Sequence, residues 1–189
     1  MKKRLFLAAT AALLTISACS TTGSSSGSSD PAAKRNAIDT QVDSALSNLY
    51  AQAPGSREIV GKARGVLVFP SVVSAGFMIG GSYGQGALRV GGRTVGYYST
   101  TAGSVGLLAG AETKAVYLLF MTEEALNKFI ASKGWTAGVD ASVTLVKVGA
   151  SATASTETAQ QAVVGYVLDK GGLMANLSFD GTKISRIDL

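Results

Sequence analysis

The chain is expected to fold in the α+β class, as a strand-dominated antiparallel sheet that can curl into a barrel, with two or three flanking helices. Three observations predict this. Glycine makes up 23 of 189 residues, well above the usual ~7%, and it weakens helices while letting strands bend and approach closely. From residue 65 onward the apolar residues come in short runs, at 65–70 (GVLVFP), 75–81 (AGFMIGG), 115–121 (AVYLLFM) and 162–168 (AVVGYVL), the pattern of strands. Helical periodicity is confined to residues 31–50, a short stretch near 56–63 and a segment after Thr122.

Asp30-Pro31 reads as a helix N-cap and first helical residue, and Ile38, Val42, Ala45, Leu46 and Leu49 follow at helical spacing. The charges of that helix, Lys34, Arg35, Asp39 and Asp43, sum to zero. Helices that lie on membranes are usually rich in Lys and Arg, so packing on a core is favoured over membrane contact. A second helix is expected over Ser56–Ala63. Runs at 86–90 and 93–98 flank Gly91-Gly92, a two-residue hairpin signal. The continuously apolar 115–121 suits a strand buried on both faces. Thr122 caps a third helix with Glu123 and Glu124 in its first turn. Leu126, Phe129 and Ile130 form its apolar face, Lys133 its last turn, and Gly134 its end. Trp135 suits the core, the commoner place for a lone Trp, or an interfacial anchor. Residues 138–155 alternate like a strand through Leu145 and then change parity, which requires a bulge or break near 146–148. Strands at 162–168 and 172–179 follow, and Asp180-Gly181 turns the chain into 182–187 (TKISRI).

Composition excludes much chemistry. There is no His and a single Cys, which removes the commonest general base and metal ligand and with them most zinc, iron–sulfur and catalytic-triad arrangements. The glycines of GSREIVGKA (55–63) fail the phosphate-loop pattern, with Ser56 and Ala63 at fixed positions. The glycines of GGSYGQG (80–86) reverse the dinucleotide fingerprint and suit strands that bend or pack closely. No S-x-x-K pair occurs, so no enzyme and no cofactor are expected.

The one cysteine has a specific setting. Basic Lys2, Lys3 and Arg4 precede an apolar run over 5–18. That run falls short of the ~20 residues of a spanning helix, so it reads as a secretory leader. ISAC (16–19) resembles a bacterial lipobox, whose cysteine is diacylated and becomes the mature N-terminus. The expected organisation is a leader over 1–18, an acylated Cys19 with a Ser/Gly linker to residue 30, and one domain over 31–189. Two or more acyl chains, at ~0.8 kcal/mol per buried CH₂, give stable anchoring. Ser20, rather than Asp, follows the cysteine, which by the lipoprotein sorting rule implies the bacterial outer membrane. The linker reaches roughly 17–20 Å on average and about 40 Å fully extended.

The net charge of +5 is partly the leader's. Without residues 1–18 the chain keeps 14 basic and 12 acidic residues, too even a balance for a nucleic-acid footprint. The imbalance is local. Arg57, Lys62, Arg64, Arg89 and Arg93 are opposed over 57–93 only by Glu58. Each basic residue near an anionic bilayer is worth ~1 kcal/mol, so these five are candidate lipid-binding residues; the alternative is a set of solvated strand-edge charges.

The blocks ARGVLVFPSVVSAGFMIGGSYGQGAL (63–88), TAGSVGLLAGAETKAVYLLFMTEEALNKF (101–129), GVDASVTL (138–145) and DKGGLMANLSFDG (169–181) resemble, in order, those of the SYLF lipid-binding domain family. The resemblance implies binding of phosphoinositides or other anionic lipids, such as phosphatidylglycerol or cardiolipin in a bacterial envelope. Two positions depart from the family's pattern: Leu108 replaces a Gln, and Ala115 an acidic residue. The expected function is a lipid-anchored envelope protein that binds anionic head groups; a structural or protein-interaction module of the envelope is the alternative.

Overall fold

A computed structural model describes residues 30–146, 160–169, 172–173 and 181–189. The expected leader, Cys19 and linker, the parity change after Val146, most of the strand expected at 172–179 and Asp180 lie outside the described residues.

Helix α1 spans Pro31–Gln52 and begins as its sequence dictates: the Asp30 side chain accepts a hydrogen bond from the Ala32 amide at 2.9 Å. Its buried stripe is Ile38, Val42, Ala45 and Leu49, so α1 packs on the core. Gly55, in the left-handed region, leads into the short α2, Ser56–Lys62. The buried Ser56 hydroxyl donates to the Leu49 carbonyl and ties the two helices together.

Two long strands follow where the sequence suggests several short ones. Strand β1 (Gly65–Val90) and strand β2 (Arg93–Phe120) pair antiparallel from Gly65↔Phe120 to Val90↔Arg93. They turn at Gly91-Gly92, both at positive φ, as the hairpin signal requires. The apparent breaks are bulges. Pro70 has no N–H to give the ladder, and there the register slips between Phe69 and Val72 and then resumes.

On its other edge β2 pairs twice. Its start, 97–101, takes β7 (Lys183–Ile187), and its end, 115–120, takes β5 (Val163–Asp169). Short strands complete the sheet: β3 (Trp135–Thr136) on β7, β4 (Thr144–Leu145) parallel to β5, and β6 (Gly172–Leu173) on β5. The result is an α+β fold, an antiparallel-dominated sheet curled into a half-barrel.

The curl depends on glycine. A Cβ on Gly86 would lie 1.9 Å from the Val68 carbonyl oxygen. A straight strand would hold residues 68 and 86 roughly 60 Å apart, so β1 doubles back until its two ends touch.

Side-chain alternation splits the core in two. Leu67, Phe69, Leu118, Phe120 and Val163 face helix α3 (Glu123–Ala131), whose Phe129 ring lies 4.7 Å from Phe120 and meets Trp135 edge-on at 5.8 Å. Trp135 is therefore core. Val66, Val68, Tyr117, Leu119 and Val164 face α1 and α2. There the buried Tyr117 hydroxyl donates to the Ala45 carbonyl at 2.7 Å.

Two boundaries differ from expectation. Helix α3 ends at Ala131, before Lys133 and Gly134, because the Ser132 amide and hydroxyl both turn back to the Phe129 carbonyl. Its Ile130 is 39% exposed rather than buried. Residues 138–140 form a turn rather than the start of a strand: Gly138 has positive φ, and the Asp140 carboxylate accepts from the Thr136 amide at 2.6 Å. Alternation alone did not distinguish this turn, since Val139 is 79% exposed.

Gly86→Ala is expected to cost about 1–3 kcal/mol or more from overpacking. Gly103→Ala, with no heavy atom within 4 Å of the new carbon, should stay within about 0.5 kcal/mol; urea denaturation of both variants checks this. Burial pushes the phenols of Tyr117 and Tyr166 up from 10.0 to about 12. The folded state thus holds those protons more tightly, and its stability is intact below pH ~10 and lost as pH rises toward about 12. Melting temperatures measured across that window should fall, and Tyr166→Phe should flatten the fall.

Candidate functional site

One flank of α1 carries Asp39 and Asp43, and the β1–β2 turn is fastened to it. Arg89 donates to Asp43 at 2.9 Å and to the Asp39 backbone carbonyl at 3.3 Å, and its guanidinium lies 3.5 Å from the Asp39 carboxylate. Asp39 also accepts from the Thr94 hydroxyl at 2.7 Å and the Tyr97 hydroxyl at 2.9 Å. Burial and then the Asp39 contact raise the Tyr97 phenol above its ordinary value. The Arg89 side chain is only 17% exposed, so these ion pairs are partly shielded from water and salt. Its Nε is buried and without a partner.

Between α1, α2 and this turn lies a cleft of about 380 Å³. Leu46, Tyr50, Val60 and Val66 give it apolar walls, with Arg64 and Arg89 among the lining residues. Of the five basic residues singled out in the sequence, these two line the cleft, Arg57 touches its lining, and Lys62 and Arg93 are chain neighbours of lining glycines. The Arg57 guanidinium sits 4.3 Å above the ring of Tyr50, a cation–π contact. Lys62 follows the lining Gly61 and pairs with Glu58 at 2.6 Å. Arg93 follows the lining Gly92, is exposed, and makes no ion pair among the described residues.

The five are not equivalent. Arg89 is occupied by two carboxylates, which neutralise the inner wall. Arg64 has only a loose, exposed contact to Glu123 at 3.8 Å, so it, Arg57 and Arg93 are the cations that no close carboxylate neutralises among the described residues. The sequence reading missed Asp39 and Asp43 as anchors of Arg89. Their signal was present: two acids at i and i+4, which face one way on a helix. Nothing in the sequence marked Tyr50 as the ring beneath Arg57.

A second groove, of about 660 Å³, runs along the other flank of α1. Thr40, Ser44, Asn48 and Gln52 line it from the helix, and Lys114 and Ala115 from β2. The departure at Ala115 thus falls where a groove meets the edge of the core; the side chain of Leu108 lies outside the description. Among the described residues no group of three or more acidic side chains could hold a metal ion, and no helix is long and apolar enough to cross a membrane.

Arg89→Gln leaves Asp39 and Asp43 without their cation and is expected to destabilise the fold by about 1–3 kcal/mol. Arg93→Gln, on the exposed turn, should change stability by less than about 0.5 kcal/mol. Paired thermal melts distinguish the two roles.

No curated protein matches the chain. Residues 101–188 match the family model described as Ysc84, Las17-binding protein actin regulator. The match takes in most of β2 and everything after it; α1, α2, β1 and all five basic residues precede it. Over residues 101–188, the strand-rich half that holds α3 and the edge strands of the sheet, the chain is thus similar to the Ysc84 family, which is the SYLF domain family.

Proposed function

We propose that the chain is a lipid-anchored envelope protein, held to a bacterial outer membrane through acylated Cys19, whose domain binds anionic phospholipid head groups at the cleft beside α1. One observation carries this reading: of five basic residues scattered over 57–93, Arg64 and Arg89 line a single cleft with apolar walls, Arg57 stacks on its Tyr50, and Lys62 and Arg93 follow its lining glycines in the chain. Head-group phosphate would meet Arg57, Arg64 and Arg93 at the rim, with Lys62 beside them, while Leu46 and Val60 accept the apolar start of the lipid. Arg89 has a different part, holding the hairpin turn on α1 so that the cleft keeps its shape. The family association with lipid binding supports the same reading. Phosphatidylglycerol, cardiolipin and phosphoinositides share the phosphate chemistry required, and the cleft favours none of them over the others. No catalytic role is proposed: the one carboxylate that lines the cleft, Asp43, is paired with Arg89.

The test uses residues 30–189, which lack Cys19 but hold every described element. Vesicles of phosphatidylcholine, with and without phosphatidylglycerol or cardiolipin, are sedimented with the protein at low and high salt. Binding to the anionic vesicles alone, reduced by salt, is expected. Replacing Arg57, Lys62, Arg64 and Arg93 together by Gln, with Arg89 kept so that the fold is spared, should weaken it at least tenfold, from ~1 kcal/mol per cation before screening. Unchanged binding by that variant removes the cleft from the reading. Absence of binding to every vesicle turns attention to a protein partner.

A further inference from the structure

The doubled-back hairpin has an end that no part of the lipid-head-group reading uses. Residues 71–88 and 94–111 contain no Asp, Glu, Lys or Arg, and they pair with one another along the middle of β1 and β2. Much of this stretch is not core. Ile79 is 74% exposed, Tyr83 51% and Val73 46%. Surfaces that face water usually carry about 25–35% charged residues, and exposed strands are commonly protected by charge. Exposed large apolar residues with no charge among them mark an interaction surface.

The position of α1 identifies what covers that surface. Lys34 and Ala37, in the first turns of α1, line one groove of about 350 Å³ together with Val73 and Tyr83. The chain enters α1 at Asp30, and only residues 20–29 separate that point from Cys19. The anchor of the proposed lipoprotein is thus leashed, within about 40 Å at full extension, to the helix end beside which Val73 and Tyr83 of the hairpin lie. An uncharged surface with a Tyr and a nearby Lys suits the bilayer interface, where amphipathic rings and snorkelling cations settle.

We infer that the charge-free middle of the β1–β2 hairpin is a membrane-contact element that seats Val73, Ile79 and Tyr83 in the interface of the bilayer to which the chain is anchored. The inference rests on the anchored, lipid-binding reading and adds an apolar contact to its electrostatic one. A second protein would be an alternative occupant, but nothing tethers one to this end of the domain.

The only Trp, Trp135, is 1% exposed, so a Trp added at the surface reports on its own surroundings. The full chain, Cys19 included, is reconstituted in phosphatidylcholine–phosphatidylglycerol vesicles as the parent, Ile79→Trp, Tyr83→Trp and Val139→Trp proteins. Val139, on the exposed 138–140 turn, serves as the control. Expected for positions 79 and 83 are a blue-shifted emission, quenching by lipids brominated in their acyl chains, and loss of quenching by aqueous acrylamide; position 139 should show none of these. Reporters at 79 and 83 that stay as open to acrylamide with vesicles as without them overturn the contact, even where the protein sediments with lipid. In that case head-group binding stands alone. Insertion of the reporters together with unchanged vesicle binding by the four-cation Gln variant supports the hairpin contact and sinks the cleft instead.

Discussion

The crossing of β1 over itself is the constraint on which the rest of the domain depends. Where Gly86 meets the Val68 carbonyl there is room for a hydrogen and not for a methyl group. That contact turns a hairpin that would otherwise be a long flat ribbon into a curled sheet with two usable faces. One face receives α3 and Trp135; the other receives α1 and α2. It also brings Val72 and Gly84 together beneath the first turns of α1, so the helix has a floor as well as a partner strand.

Polar contacts then set where α1 lies. Hydrophobic burial along Ile38, Val42, Ala45 and Leu49 holds the helix to the sheet, but burial is non-directional and would tolerate sliding. The hydrogen bond from Tyr117 to the Ala45 carbonyl fixes the middle of the helix, and the cluster of Arg89, Thr94 and Tyr97 around Asp39 fixes its first half. Those fixed points define the flanking clefts. The basic residues around the smaller cleft come from α2, the link after it and both sides of the β1–β2 turn, so their grouping is a product of this docking and not of local sequence.

Much of the fold was legible in the residues. Asp30 and Thr122 named their helices, Gly91-Gly92 named the hairpin, and the unbroken apolar runs at 115–121 and 162–168 named the two central strands, buried on both faces. What the sequence hid was continuity. Gly-rich stretches interrupt an apolar pattern in the same way whether they end a strand or bend it, and only the partner strand decides which; so β1 and β2 read as several pieces. The candidate site was legible as a local excess of basic residues. Its division of labour was not, because Arg89 and Arg93 differ only in what the tertiary fold places next to them: two carboxylates for one and solvent for the other.

The pairing pattern of β2 carries a consequence for how the molecule comes to be folded. Its end pairs with β5, and its start with β7, where Tyr97 meets Ile187. The first pairing the chain can make is the local hairpin, closed by two residues and cheap in loop entropy. The β7 pairing joins residues ninety positions apart and waits until almost all of the chain is free to collapse. Such non-local pairing is slow. In the interval the long apolar edge of β2 stands uncovered, a template for association with other chains. A polypeptide of this design gains from any contact that masks the β2 edge until Val163–Asp169 covers its apolar end and Lys183–Ile187 its start.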